Sequence, residues 1–318
     1  MNGERIHFGS AEGAPYEPGG TGAPYRLHYR QGLPACVFCG DRPTSREHLL
    51  PKYMREWLHR TFGATAGMLH TIRTGPMPEL QIPAAQLQKR KGPEQGETLK
   101  VLCEPCNNVW SNNIQEAARP AFDKIVRSAL DVTTSEEREA FARWLALHLM
   151  TFEFRDDNSR TASEQTRRAF RKHGVMPENM LVFYRFYDGV AFQAAAEHIA
   201  FNARAFRANA VLNLDDTQTH GIAFNTIAFG RVIFHVIRTE GLSRNPEHAS
   251  TVQDAFDRAV AKARKHQMAH FWPSFEPVTL LPLHDDEAVD LSHSIATPEQ
   301  RAHLRRKGSG LQGSSFTP

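Results

Sequence analysis

Cysteine is scarce in this chain, with four in 318 residues. That is too few for the dense disulfide framework of a small secreted protein. Also missing is any apolar run of the length needed to cross a bilayer. The opening stretch "MNGERIHFGSAEGAPYEPGGTGAPY" lacks the apolar core of a secretory signal, and its glycines and prolines predict a disordered leader over residues 1–30. Neither sign of charge dominates: 38 Lys and Arg stand against 35 Asp and Glu, and the net charge of +3 permits a polyanionic partner without demanding one. What is present, 41% hydrophobic and 23% charged residues, is the balance of a one- or two-domain globular protein. The expected setting is reducing and cytoplasmic, without membrane association, so the four cysteines need a reason other than crosslinking.

They fall into two pairs of one spacing, Cys36 and Cys39 in "CVFC" and Cys103 and Cys106 in "CEPC". Four thiolates suit a tetrahedral Zn²⁺ and close its coordination sphere, so a shared ion would be structural. Two unrelated pairs of buried thiols are the alternative reading. The interval between the pairs is far longer than in a compact zinc ribbon, which predicts an insertion over residues 55–98. If sulfur saturates the zinc, the nearby "EHLLP", with Glu47, His48 and Pro51, is left free for another role.

The run "CVFCG…SREHLLPKYM…LCEPCNNVW…EAARP", with "FARWLALHL" after it, resembles the zinc-stapled HNH endonucleases. More narrowly, it is similar to a group of bacterial and phage proteins usually described as HNH endonucleases. The sharp motifs cover about residues 36–120, and the likeness is looser to roughly 240. The resemblance implies an α+β fold whose N-terminal ββα-metal domain, residues 31–130, crosses a β-hairpin and a helix over one catalytic cation. It also implies hydrolysis of phosphodiester bonds in nucleic acid, with DNA the expected partner. His48 would be the general base, and Glu47 and Asn107 would hold a catalytic Mg²⁺ or Mn²⁺.

The chemistry of those residue types agrees with these roles. A neutral imidazole can take a proton from water near neutral pH. Carboxylate and amide oxygens suit a hard divalent cation, which polarises a phosphate and stabilises the leaving oxygen. Arg46 and Lys52 are candidate contacts to backbone phosphates. Plainer roles stand beside these: Asn107 as a helix N-cap, Glu47 in a charge cluster with Arg42 or Arg46, and Trp110 in the core instead of stacking on a base.

The chain departs from the family pattern at three places. An Asn usual before the second cysteine pair has Thr98 at the nearest position, and no Asn occurs between residues 48 and 106. Gln115, with Glu116 adjacent, stands where a Glu is common, and Asn107 replaces the metal-binding His of founding members. A second reading follows, a zinc-dependent module that grips nucleic acid on the same frame without cutting it. A third is an interaction protein in which the zinc domain only stabilises the rest.

Residues 131–285 read as an α+β domain, with helices over 135–174, strands of a mostly antiparallel sheet over 181–240 and a closing helix over 251–266. A helix after Trp110 should break or kink at Pro120. Thr134 with Glu137 reads as a capping box, Thr161 with Glu164 begins a third helix, and Gly174 ends it. His148, on an apolar helix face, reads as a satisfied core histidine. "HFWPSFEP" reads as a Pro-bounded loop and 290–318 as a flexible tail. This domain carries no catalytic motif, which leaves it to recognise substrate, pair with a second copy of the chain or bind a protein partner.

Overall fold

The computed structural model describes residues 35–41, 45–62, 69–75, 98–155, 160–177, 179–189, 194–202, 221–240, 246–277 and 281–292. The expected leader, the tail beyond residue 292, most of the insertion and the strand expected at 205–214 lie outside them. The fold is mixed helix and sheet, as the α+β expectation required. Among the described residues no helix is long and apolar enough to cross a membrane.

Two short strands, β1 (Ser45–His48) and β3 (Thr98–Leu102), pair antiparallel beside the cysteines. Between them run helix α1 (Lys52–Phe62) and strand β2 (Leu69–Gly75). A π-helical turn, Cys106–Ser111, then leads into α2 (Asn112–Ile125). α2 is continuous through Pro120, contrary to the expected break. Pro120 is exposed, so water can satisfy the carbonyl its ring leaves unpaired, while Ala118, Ala121, Phe122 and Ile125 face the core. The capping box of Thr134 and Glu137 starts α3 (Ser135–Phe152) as expected. α4 (Glu164–His173) ends at Gly174, whose φ of +66° suits glycine, but its N-cap is Ser163 and not Thr161. Thr161 instead donates its hydroxyl to the buried Glu153 at 2.5 Å.

The larger sheet has the order β2-β5-β6-β7-β4-β8, with β4 Asn179–Phe186, β5 Ala194–Asn202, β6 Gly221–Phe229, β7 Val232–Glu240 and β8 Ala269–Trp272. All neighbours are antiparallel except the edge pair β2–β5. β8 forms the start of the segment expected to be a loop, and helix α5 (Pro246–Lys265) begins earlier than expected. Strands β4, β6 and β7 are buried on both faces. Val182, Tyr184, Val232, Phe234 and Val236 meet the side that holds α2 and α3. Phe183, Phe224, Ile233 and Ile237 meet α5 and the short α6 (Asp285–Ser292). This explains why "IAFNTIAFGRVIFHVI" shows little polar alternation.

The cysteine-bearing segment is not packed as a separate unit. One core cluster runs from Cys36 and Phe38 through α1, α2 and α3 into β4, β6, β7 and β8. Phe229 is its junction, with ring centroids 5.4 Å from Phe122, 5.8 Å from Trp144, 6.4 Å from Phe141 and 6.4 Å from Trp57. A buried polar knot fastens the helices to β7. Arg238 pairs with Glu153 and, at 3.3 Å, with Glu240, while Glu153 also accepts the Thr161 and Ala162 amides at 3.1 and 3.0 Å. Removing one partner strands the other in the core. Arg238→Met should therefore lose roughly 3–5 kcal/mol in chemical denaturation. Adding Glu153→Gln should recover part of that loss, and no recovery would contradict the pairing.

Candidate metal centre and the Glu47–His48 strand

The first knuckle turns at Gly40, whose φ of +88° a residue with a side chain rarely adopts, and whose amide donates to the Cys36 carbonyl at 2.9 Å. The Val37 amide donates to Val101 of β3 at 3.0 Å, which lays this knuckle beside the strand that delivers the second. β3 then runs into Cys103, and the Asn107 amide donates back to the Cys103 carbonyl at 2.9 Å. The four sulfurs lie within 4.8 Å of one another, and Cys39 and Cys103 are 3.4 Å apart. All four are free thiols, and only Cys39 is part-exposed. A tetrahedral ion with Zn–S bonds of about 2.3 Å sets its sulfurs about 3.8 Å apart, so the cluster fits zinc. Burial pushes the Cys106 thiol up to about 11 and raises Cys39 as well. Cys36 goes the other way: against the effect of burial, hydrogen bonds from the Cys103, Cys39 and Phe38 backbone lower it. The resistance to ionising without a cation therefore lies in Cys39 and Cys106, whose protons binding one would release.

Two arginines of α4 reach this cluster from the far half of the chain. Arg171 Nε donates to Cys106 Sγ at 3.3 Å, and its guanidinium lies 5.1 Å over the Trp110 ring. Arg167, 2% exposed, donates from Nε to the Val37 carbonyl at 2.9 Å. Trp110 itself packs 4.9 Å from Phe38 and 5.7 Å from Phe170, which is the core role expected of it.

β1 meets α2 through Glu47. Gln115 Nε2 donates to Glu47 Oε1 at 2.8 Å, and the Ser111 hydroxyl lies 3.5 Å from Oε2 and 2.9 Å from the Asn107 carbonyl. Ser111 and Gln115 are one helical turn apart, so both face the strand. Burial pushes the Glu47 carboxyl up to about 7, against the pull of the Gln115 and Ser111 hydrogen bonds and the Arg55 charge. Asn107 Nδ2 donates to Ser45 Oγ at 3.1 Å and to the Arg46 carbonyl at 3.0 Å, leaving Oδ1 as its remaining polar atom. Glu47 and Asn107 are thus held on one framework and offer a carboxylate and an amide oxygen, a donor set suited to a hard divalent cation.

His48 is placed differently. Successive side chains of a strand alternate in direction, and His48 is part-exposed where Glu47 is buried. Its Nδ1 is buried with no hydrogen-bond partner, and no hydrogen bond joins the ring to Glu47 or Asn107 among the described residues. Burial, then the Arg55 charge, hold its pKa below the ordinary histidine value. Arg55, on the first turn of α1, acts on both Glu47 and His48 and was not singled out in the sequence. Its position three residues after Lys52 was the available signal. Arg46 is exposed, and Lys52 is exposed with Glu56 at 3.8 Å, an ion pair worth little in water.

No family model matches the chain, and no curated protein or solved structure matches it.

Two measurements test this geometry. A carboxyl whose folded pKa is raised favours the folded state while protonated, and loses that advantage as pH climbs from 4.5 through about 7. Glu47→Gln should therefore raise the stability of the metal-free protein at pH 8 by roughly 1–3 kcal/mol and change it little at pH 5. An equal effect at both pH values would contradict the burial argument. Arg171→Met should speed zinc loss to a chelator by about tenfold, since partners of metal ligands typically act on that scale. Unchanged release would show that the contact is incidental.

Proposed function

We propose that this chain is a metal-dependent endonuclease of the HNH type that hydrolyses phosphodiester bonds of nucleic acid, with DNA as the expected substrate. The observation that carries the reading is the sulfur cluster beside the β1–β3 pair, with Asn107 bonded to the Arg46 carbonyl and Glu47 to Gln115 of α2. In this reading His48, kept neutral by its lowered pKa, accepts the proton of the attacking water. Glu47 and Asn107 Oδ1 would hold Mg²⁺ or Mn²⁺, which supplies charge stabilisation at the phosphate when bound. The zinc takes no chemical part and holds the two stretches together.

Helix α1 supports a polyanionic substrate. Lys52, Arg55, His59 and Arg60, with Glu56 among them, line an open groove of about 460 Å³ on the helix that follows His48. Arg46 is exposed on β1 itself. These cations are the proposed phosphate contacts, and their share of affinity would fall with salt. Lys52→Ala with Arg60→Ala should flatten the salt dependence of binding to a DNA duplex by a slope of about 2, without a change of sequence preference. An unchanged slope would remove α1 from the interface.

A second reading, a module that binds nucleic acid without cutting, draws on one specific observation. Both Glu47 oxygens are engaged, by Ser111 of the π-helical turn and Gln115 of α2, and His48 is hydrogen-bonded to neither proposed ligand among the described residues. Plasmid incubated with the purified protein and Mg²⁺ or Mn²⁺ separates the two. The nuclease reading expects nicking or linearisation that His48→Ala abolishes. Equal products from both proteins would refute it, and salt-sensitive binding with no products under either metal would select the second reading.

A further inference from the structure

The Glu47–His48 dipeptide is gripped from both sides through its neighbours' carbonyls. On one side Asn107 Nδ2 holds the Arg46 carbonyl at 3.0 Å. On the other, His148 Nδ1 lies 2.9 Å from the Leu49 carbonyl. The hold on Leu49 comes from mid-α3, across a sequence separation of 99 residues. His148 is 5% exposed and stacked on Trp144, with ring centroids 5.2 Å apart and planes at 26°, so its ring is fixed in the core. A carbonyl oxygen can only accept, so Nδ1 must carry the proton, and the tautomer is set by this contact.

We propose that His148 is a positioning residue for His48: from outside the zinc segment it fixes the backbone immediately after the imidazole and so sets where that ring stands. The mechanical part of this claim is independent of the nuclease reading, while its effect on turnover rests on it. A side chain that acts through another group's placement governs rate without contacting substrate. Small displacements of a catalytic group are expensive, with about 1 Å worth up to a hundredfold in rate. The α+β region then completes the site that the cysteine-bearing segment begins.

The test uses the full chain and three readouts. In the wild type, nitrogen NMR of the imidazoles should find His148 in the Nδ1–H form with a slowly exchanging proton; an Nε2–H tautomer overturns the proposal without any variant. His148→Phe keeps the ring on Trp144 but removes the donor, and His148→Asn restores a donor at the Nδ1 position. The Phe variant should speed amide exchange at residues 45–50 selectively and lower plasmid-cleavage kcat by about tenfold or more with KM unchanged. The Asn variant should return both readouts most of the way. Exchange at 45–50 that is unchanged in the Phe variant, or unrestored by Asn, overturns the proposal. Wild-type protein that cuts nothing while the Phe variant still loosens 45–50 refutes the nuclease reading and sustains the positioning.

Discussion

Four sulfurs drawn within 4.8 Å of one another are the constraint on which the rest depends. They bring Cys36 and Cys39 against Cys103 and Cys106, and so force the long intervening segment to leave and return at one point. That closure lays β1 on β3 and puts the start of the π-helical turn against β1. Without it, Glu47 would have no Gln115 and Asn107 no Arg46 carbonyl. Loop closure over such a span is entropically unfavourable, and an ion held by the four cysteines would offset it.

The second half of the chain is part of the same construction. α4 sends Arg167 to the first knuckle and Arg171 to the second, and α3 sends His148 to the carbonyl beside His48. β2, from within the insertion, pairs with β5 at the edge of the large sheet. A closed cluster of four thiolates around zinc carries two negative charges, and a guanidinium on Cys106 is a natural counter-charge. Strength and position come from different parts of the molecule: the aromatic core around Phe229 joins helices to sheet, and a few hydrogen bonds from that core reach the strand that carries the proposed chemistry.

Part of this was legible in the residues. Two identical Cys-x-x-Cys spacings were enough to anticipate the cluster, because local spacing is what a metal reads. The Thr134 capping box, the Gly174 stop and the core placement of His148 and Trp110 were equally local signals. Pro120 does not break α2, because that outcome depends on whether the carbonyl it frees can reach water, which the sequence does not show. Thr161 misled because a buried Glu153 competes for its hydroxyl. β2–β5 pairing, the Leu49–His148 bond and the Arg171–Cys106 contact join residues far apart in the chain, and no period or motif encodes such a meeting. Glu47 and His48 share burial and the Arg55 charge, and burial moves the acid up and the base down because it disfavours the charged form of each.

The most direct test is metal analysis with X-ray absorption at the zinc edge, combined with amide exchange on a Cys103→Ser variant. The account requires one zinc per chain bound by four sulfurs at about 2.3 Å, and loss of protection at β1 and β3 when Cys103 is changed. A chain without zinc, an ion bound mainly by nitrogen or oxygen, or a Cys103→Ser protein whose β1 amides stay protected would contradict it.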